Sequence, residues 1–103
     1  MNELIDIITK IVPNELDLDA NVKTNSFILD PYLMDDVLKG DGVATESTVT
    51  YQLDVFFKNK GELIAKSKLI SNALNIFVLS SWSFRWESTA RVWRGTVSIE
   101  KLI

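Results

Sequence analysis

Residues 81–101 of this chain read SWSFRWESTARVWRGTVSIEK. Apolar and polar residues alternate strictly over residues 81–87 and again from Trp93 to Glu100, and such alternation predicts half-buried β-strands. The residues that share the predicted apolar face are Trp82, Phe84, Trp86, Trp93, Gly95, Val97 and Ile99. The stretch therefore predicts a β-hairpin that turns one face to a core, with residues 87–90 as its loop.

The residues before this hairpin predict another strand and then a helix. Residues 47–57, STVTYQLDVFF, alternate in the same way and predict a half-buried strand. Asn59 followed by Glu62 resembles a capping box, which predicts the start of a helix of about four turns. The apolar stripe of that helix is Leu63, Ile70, Ala73, Leu74 and Phe77.

The N-terminal half has weaker patterns. Residues 2–12 place apolar side chains at helical spacing and predict a helix that Pro13 ends, followed by a loop over residues 13–26. Residues 27–39 contain Pro31, which favours an edge strand, with a short helix from Asp30 as the alternative. Residues 40–46 predict an acidic loop with two glycines.

These elements predict one α+β domain over residues 1–103. The expected fold is a four-stranded, mainly antiparallel sheet with two helices packed on one face, in the order α-β-β-α-β-β. In this arrangement Trp82 and Trp93 belong to the core, and Trp86 lies at a strand end and is partly exposed. Arg85 and Arg94 fall on the opposite face of the sheet, where they are able to pair with acids of a neighbouring subunit.

The composition argues against an enzyme. The chain has no cysteine and no histidine, which removes disulfides, thiolate zinc sites and the commonest general base. The candidate acids Asp35, Asp36, Asp41 and Asp54 show no spacing that predicts a paired-carboxylate site. We expect no catalysis, no cofactor and no metal. No apolar run approaches the length of a membrane span, so no membrane association is expected either.

Charge is divided unevenly along the chain. Residues 1–54 carry three lysines against eleven acids, whereas residues 55–103 carry eight basic residues against three glutamates. Either the two halves neutralise each other within one monomer, or the acidic side meets the basic side of a neighbour. Specific nucleic-acid binding is not expected, because the arginines and the aromatics fall on opposite predicted faces and the chain is acidic overall.

The order of elements resembles that of small phage and prophage tail terminator proteins, also called tail completion or head–tail joining proteins. The resemblance covers roughly residues 27–102. Its most telling parts are YQLDVFFKN, residues 51–59, and the closing RWESTARVWRGTVSIEKL with Trp86 and Trp93. No motif in the N-terminal third adds to it.

The resemblance implies a structural virion protein. Such a subunit is made in the host cytoplasm and assembles with itself as a ring, commonly a hexamer, at the head–tail junction. The ring caps the tail tube and offers a surface to the head-completion or connector protein. A ring requires head-to-tail interfaces that close by rotation, and the uneven charge suits such an interface.

Two sets of residues are candidates for subunit or partner contact. The basic set is Arg85, Arg91, Arg94, Lys58 and Lys60, and the acidic set is Asp35, Asp36 and Asp41. The sequence predicts that reversing Arg91 and Arg94 together to Glu weakens assembly without unfolding the monomer.

Other functions remain open at this point. The chain is alternatively another phage head–tail connector or a minor capsid component. From a different class, it is a dimeric cellular binding module with an aromatic pocket near Trp86 and Tyr32.

Overall fold

A computed structural model describes residues 3–38 and 44–102 of the chain. Its helices and strands are, in chain order, α1 (Glu3–Thr9), β1 (Asn14–Glu15), β2 (Ser26–Leu38), β3 (Ala44–Phe57), α2 (Lys60–Ala73), β4 (Val78–Leu79), β5 (Ser83–Glu87) and β6 (Val92–Leu102). Neither of these two helices is long and apolar enough to cross a membrane.

The strands form one six-stranded mixed sheet in the order β1-β2-β3-β6-β4, with β5 also paired to β6. The pair β1–β2 is parallel and the other pairs are antiparallel. The expected four-stranded, mainly antiparallel sheet in the order α-β-β-α-β-β is therefore wrong. The two strands that it lacks, β1 and β4, have only two residues each, which is too short to leave an alternating pattern.

The expected loop over residues 13–26 contains β1. Asn14 Nδ2 donates to the carbonyl oxygen of Asn25 at 3.0 Å, and the Leu16 amide donates to the Phe27 carbonyl at 2.8 Å. Asn25 adopts a positive φ of 59°, which turns the chain into β2. Polar contacts and one tight turn, which have no periodic signal, thus add a strand to the sheet.

Both helices pack on one face of the sheet, as predicted. Helix α1 is shorter than residues 2–12 and buries Leu4 and Ile8. Helix α2 begins after Asn59, whose Oδ1 accepts from the Glu62 amide at 3.1 Å, so the predicted cap is confirmed. The apolar core between helices and sheet consists of Leu4, Ile8, Val12, Phe27, Leu53, Val55, Phe57, Leu63, Ile70, Leu74, Val97 and Ile99.

The tryptophans lie on the helix side of the sheet. Trp82 stacks on Phe84, with ring centroids 6.1 Å apart, and its Nε1 donates to Ser71 Oγ of α2 at 2.8 Å. Trp93 packs against the core, whereas Trp86 is 47% exposed. The prediction that Trp86 is partly exposed is confirmed, whereas Trp82 and Trp93 are half-buried and pack against the core instead of lying within it.

The opposite face of the sheet has its own small apolar cluster. Ile28, Phe56 and Val92 are buried there, and Leu16, Val22 and Ala90 pack against them. The segment before β2 therefore folds over this face. Phe56 breaks the alternation of residues 47–57, because it is apolar at a position where the pattern has polar residues. Its burial on the polar face indicates this second apolar cluster.

The β2–β3 hairpin extends past the rest of the sheet. Strand β2 continues through Pro31 with a register shift between Pro31 and Leu33, which confirms the edge strand and excludes the short helix from Asp30. Strand β3 pairs with β6 only from Thr48 onward, and before Thr48 it pairs with β2 alone within the described residues. The molecule accordingly measures 50 × 26 × 25 Å.

We expect Gly95→Ala to destabilise the fold. A Cβ at this position would lie 3.1 Å from Leu63 Cδ1 and 3.3 Å from the Phe84 ring, and both groups are packed in the core. Overpacking of this kind costs about 1–3 kcal/mol of unfolding free energy, which urea denaturation will measure. Ser98→Ala, on the other face of β6, is the control and should change stability by less than about 0.5 kcal/mol. Equal stability of the two variants would contradict the packing at Gly95.

Candidate functional site

A buried carboxylate organises the polar face of the sheet. Asp54 on β3 has a side chain that is only 7% exposed. Its Oδ1 accepts from Arg94 Nε at 3.1 Å and from Thr96 Oγ1 at 2.7 Å, and its Oδ2 accepts from Gln52 Nε2 at 3.1 Å. Asp54 and Thr96 are directly opposite each other in the β3–β6 register, which brings these groups together.

Arg94 on β6 links three strands, because it bonds one carboxylate on each of the two neighbouring strands. Besides Asp54 on β3, it bonds Glu87 on β5 through Nη1 at 3.3 Å. The hydrogen bond with Asp54 raises the pKa of the Arg94 guanidinium above its ordinary value. Glu87 also accepts from Arg85 Nε at 3.2 Å, but the Arg85 side chain is 68% exposed. Arg94 is therefore a structural cross-link, whereas Arg85 remains available at the surface.

This finding changes one of the mutational expectations. Reversing Arg94 to Glu would place a second carboxylate against buried Asp54, so the double reversal of Arg91 and Arg94 would destabilise the monomer as well as any interface. Arg91 alone does not have this problem, because it lies exposed in the β5–β6 turn with a φ of 55°.

Among the residues whose side chains the structure describes, two ion pairs join the acidic half of the chain to the basic half. These are Asp54–Arg94 and Glu3–Lys101, the second with Nζ and Oε2 3.7 Å apart. The two halves thus neutralise each other in part within the monomer. Arg85 and Arg91 lie outside these pairs on the exposed surface.

An open cavity of about 490 Å³ lies beside Arg94. Its lining comes from residues 20–22 and from the β5–β6 hairpin, including Glu87, Thr89 and Ala90. The guanidinium at this cavity is already shared between two carboxylates. It therefore offers little net positive charge to a ligand in this cavity.

Two tryptophans and a lysine lie together on the helix side of the sheet. We call Trp86, Trp93 and Lys60 the aromatic edge. The two tryptophan rings meet edge to face with centroids 5.7 Å apart, and Lys60 Nζ lies 4.9 Å from the Trp93 centroid. The predicted separation of Arg85 and Arg94 from the tryptophans is confirmed. The sequence did not predict the contact between Lys60 and Trp93, because a helix that begins after Asn59 does not by itself show in which direction Lys60 points.

Tyr32 and Trp86 belong to strands that are far apart in the sheet. Tyr32 lies on β2 and Trp86 on β5, and β3 and β6 lie between these strands. Three strand spacings separate them by about 14 Å. The two strands that carry these residues are therefore not neighbours in the sheet of one chain.

The charged contact candidates lie toward two ends of the sheet. Lys58, Lys60 and Arg91 are at the end where β3 leads into α2 and where β5 turns into β6. Asp35 and Asp36 are opposite Thr48 and Ser47, at the other end of β3 and about 30 Å away. Asp41 lies outside the described residues. The basic candidates thus lie toward one end of the sheet, here called the basic end, and the acidic candidates lie toward the other end.

Comparisons with known proteins do not add a function. No known family model matches the chain, and no curated protein gives a significant match. Any functional conclusion therefore depends on the resemblance described above and on the geometry of these surfaces.

We expect Arg94→Ala to cost about 3 kcal/mol of unfolding free energy, because it leaves the buried Asp54 carboxylate without its cation. Arg85→Ala is a matched control, since Arg85 is the cross-strand neighbour of Arg94 but its ion pair is exposed. It should cost less than about 1 kcal/mol. Chemical denaturation of both variants checks the difference, and equal costs would argue against the cross-link.

Iodide quenching should report mainly on Trp86. Trp86 is the most exposed tryptophan, whereas Trp82 is bound to Ser71 and Trp93 is packed against the core. We expect Trp86→Phe to remove most of the iodide-accessible fluorescence and Trp82→Phe to leave it nearly unchanged. The measurement is a Stern–Volmer titration of each variant. Equal loss in both would contradict the exposed aromatic edge.

Proposed function

We propose that this chain is a structural phage or prophage virion protein that forms a ring, caps the tail tube and joins the tail to the head connector. The observation that carries the proposal is the shape and charge of the sheet. The molecule is elongated, with a projecting β2–β3 hairpin, and its basic and acidic candidate residues lie toward opposite ends of the sheet. Two different surfaces on one subunit favour head-to-tail assembly, the kind of contact from which rings are built.

The free strand edges support the same interpretation. Within the described residues, β1 covers β2 only at Ser26 and Phe27, so the outer edge of β2 has no strand partner from Ile28 onward. The outer edge of β5 is also unpaired there. Exposed strand edges are aggregation hazards in a monomer, and a protein that retains two of them commonly uses them in assembly.

The proposed mechanism is surface recognition without catalysis or cofactor. Subunits associate through their unlike sides, with six copies as the expected number. One rim of the ring binds the last ring of the tube and stops its growth, and the other rim receives the connector or head-completion protein. The candidate contacts are Arg85, Arg91, Lys58 and Lys60, with Asp35, Asp36 and Asp41 on the acidic side. Arg94 is no longer among them, because its guanidinium already pairs with Asp54 and Glu87. The protein is made in the host cytoplasm and functions at the head–tail junction.

Two alternatives differ in the partner that they require. A head–tail connector or minor capsid component would also assemble, but it would bind the portal side and leave the tube unbound. A dimeric cellular binding module would need an isologous contact and an aromatic pocket. That module is less well supported, because Tyr32 and Trp86 lie three strands apart in the sheet.

The proposal is tested by mass in solution and by binding to tail tubes. We expect a ring-sized oligomer in light scattering that loosens as salt rises, because screening weakens contacts between exposed charges. Electron microscopy should show closed rings, and the protein should co-sediment with tubes assembled from a phage tail tube protein. A salt-insensitive dimer that does not bind tubes would contradict the proposal.

Charge removal at the basic end should weaken the ring selectively. The variant is Lys58→Glu with Arg91→Asn, where Asn tolerates the positive φ of residue 91. Its control is Lys10→Glu with Lys68→Gln, which changes the net charge equally at exposed helix-side positions. We expect roughly tenfold weaker assembly in the first variant only. Equal weakening would mean that net charge, and not the basic end, controls assembly.

A further inference from the structure

We infer that β5 of one copy adds to the free edge of β2 in the next copy, antiparallel, with Arg85 opposite Asp30 and Trp86 opposite Leu29. The inference rests on the proposed assembly of the chain and specifies its interface. It makes the sheets of neighbouring subunits continuous. The occupant of the β2 edge is thus a second copy of this chain.

Strand directions allow this contact. Strands β2, β3, β6 and β5 alternate in direction, since every pair along this path is antiparallel. If the next subunit continues the sheet with the same face toward its helices, β5 meets β2 in antiparallel orientation. The alternation therefore continues across the boundary without a reversal, and each subunit contributes two unlike edges, as a ring requires.

Strand β1 determines the register. It occupies the β2 edge at Ser26 and Phe27, and the Leu16 amide adds a further bond to Phe27. Arg85 pairs with Arg94, Arg94 pairs with Phe56, and Phe56 pairs with Ser26. Arg85 and Ser26 therefore lie at the same height along the strands. An unshifted β5 would therefore collide with β1. A shift of about four residues is the smallest that places all of β5 on the free edge beginning at Ile28.

This smallest shift brings complementary side chains together. Arg85, whose side chain is 68% exposed, faces Asp30, which is level with Gln52 on the same polar face. On the helix side, Trp86, which is 47% exposed, faces the half-buried Leu29. An ion pair on one face and an apolar pair on the other are contacts that stabilise neighbouring strands.

The shift also suits a closed ring. Four residues correspond to about 13 Å along the strand, and the four main strands of a subunit span about 19 Å across the sheet. Repeating this offset tilts the strands by about 35° from the ring axis, which is within the range of closed barrels. A contact without any shift would leave the strands parallel to the axis.

Charge disfavours the competing contact between two β2 edges. Strand β2 carries Asp30, Asp35 and Asp36 and no basic residue. Two copies paired edge to edge would bring like charges together, which destabilises strand pairing. In contrast, residues 83–94 carry three arginines against one glutamate. The β2 edge is therefore complementary to the β5–β6 hairpin and not to itself.

Disulfide trapping tests this register, because the chain has no native cysteine. Directly opposite residues of paired strands have Cα atoms about 4.5–5.5 Å apart, within reach of a disulfide. We expect Asp30→Cys with Arg85→Cys to give a ladder of covalent oligomers that ends at the ring size. The control pair, Gln52→Cys with Arg85→Cys, lies at the same level but one strand further from the edge, so it should not cross-link.

Charge exchange gives an independent readout. Arg85→Glu alone and Asp30→Lys alone should each weaken assembly by roughly tenfold, and the combined variant should restore it to near the original level. Sedimentation velocity measures the association. Failure of the combined variant to restore assembly would overturn the Arg85–Asp30 contact.

The outcomes separate this inference from the proposed function. Ring-sized particles that bind tail tubes but do not cross-link through Asp30→Cys with Arg85→Cys would overturn the edge pairing and leave the ring intact. Dimers from Asp30→Cys alone would show β2 paired with β2 and overturn it too. Open filaments cross-linked at these positions would support the edge pairing and count against the capping ring. A chain that stays monomeric at its highest soluble concentration overturns the inference.

Discussion

The fold depends on β6, which is paired along both of its edges. On one edge it binds β3 over ten residue pairs, and on the other it binds β5 and β4. Its alternating residues therefore serve two environments: Val97 and Ile99 complete the core under the helices, and Arg94 and Thr96 bond the buried Asp54. A slip of one residue would exchange the two faces and lose both sets of contacts.

The two outer edges of the sheet contrast with this protected centre. The Asp54–Arg94–Glu87 contacts hold β3, β6 and β5 together and leave Arg85 directed to the surface. At the other side, β1 covers only the first two residues of β2. A rigid interior with unlike, unpaired edges is a suitable design for a subunit whose function is to join copies of itself, since the edges keep a fixed relative position.

Several features of the fold were predictable from the sequence. The alternation of residues 47–57 and 81–101 predicted strands β3, β5 and β6, and Asn59 predicted the start of α2. Strands β1 and β4 were not predictable, because two-residue strands carry no periodicity and arise from contacts such as Asn14 with Asn25. The partner of Arg94 was also missed. Asp54 and Arg94 both fell on polar faces, but only the strand register shows that they meet.

By itself the sequence determined the α+β composition, the faces of the main strands, the partial exposure of Trp86 and the uneven division of charge, but not the number or pairing of the strands. These properties depend on local spacing and composition, which a linear chain displays directly. Only the tertiary structure decided which charges neutralise each other, that Tyr32 and Trp86 lie apart, and which strand edges remain unpaired. These properties depend on strand order and register, and both are determined by contacts between residues that are distant in the chain.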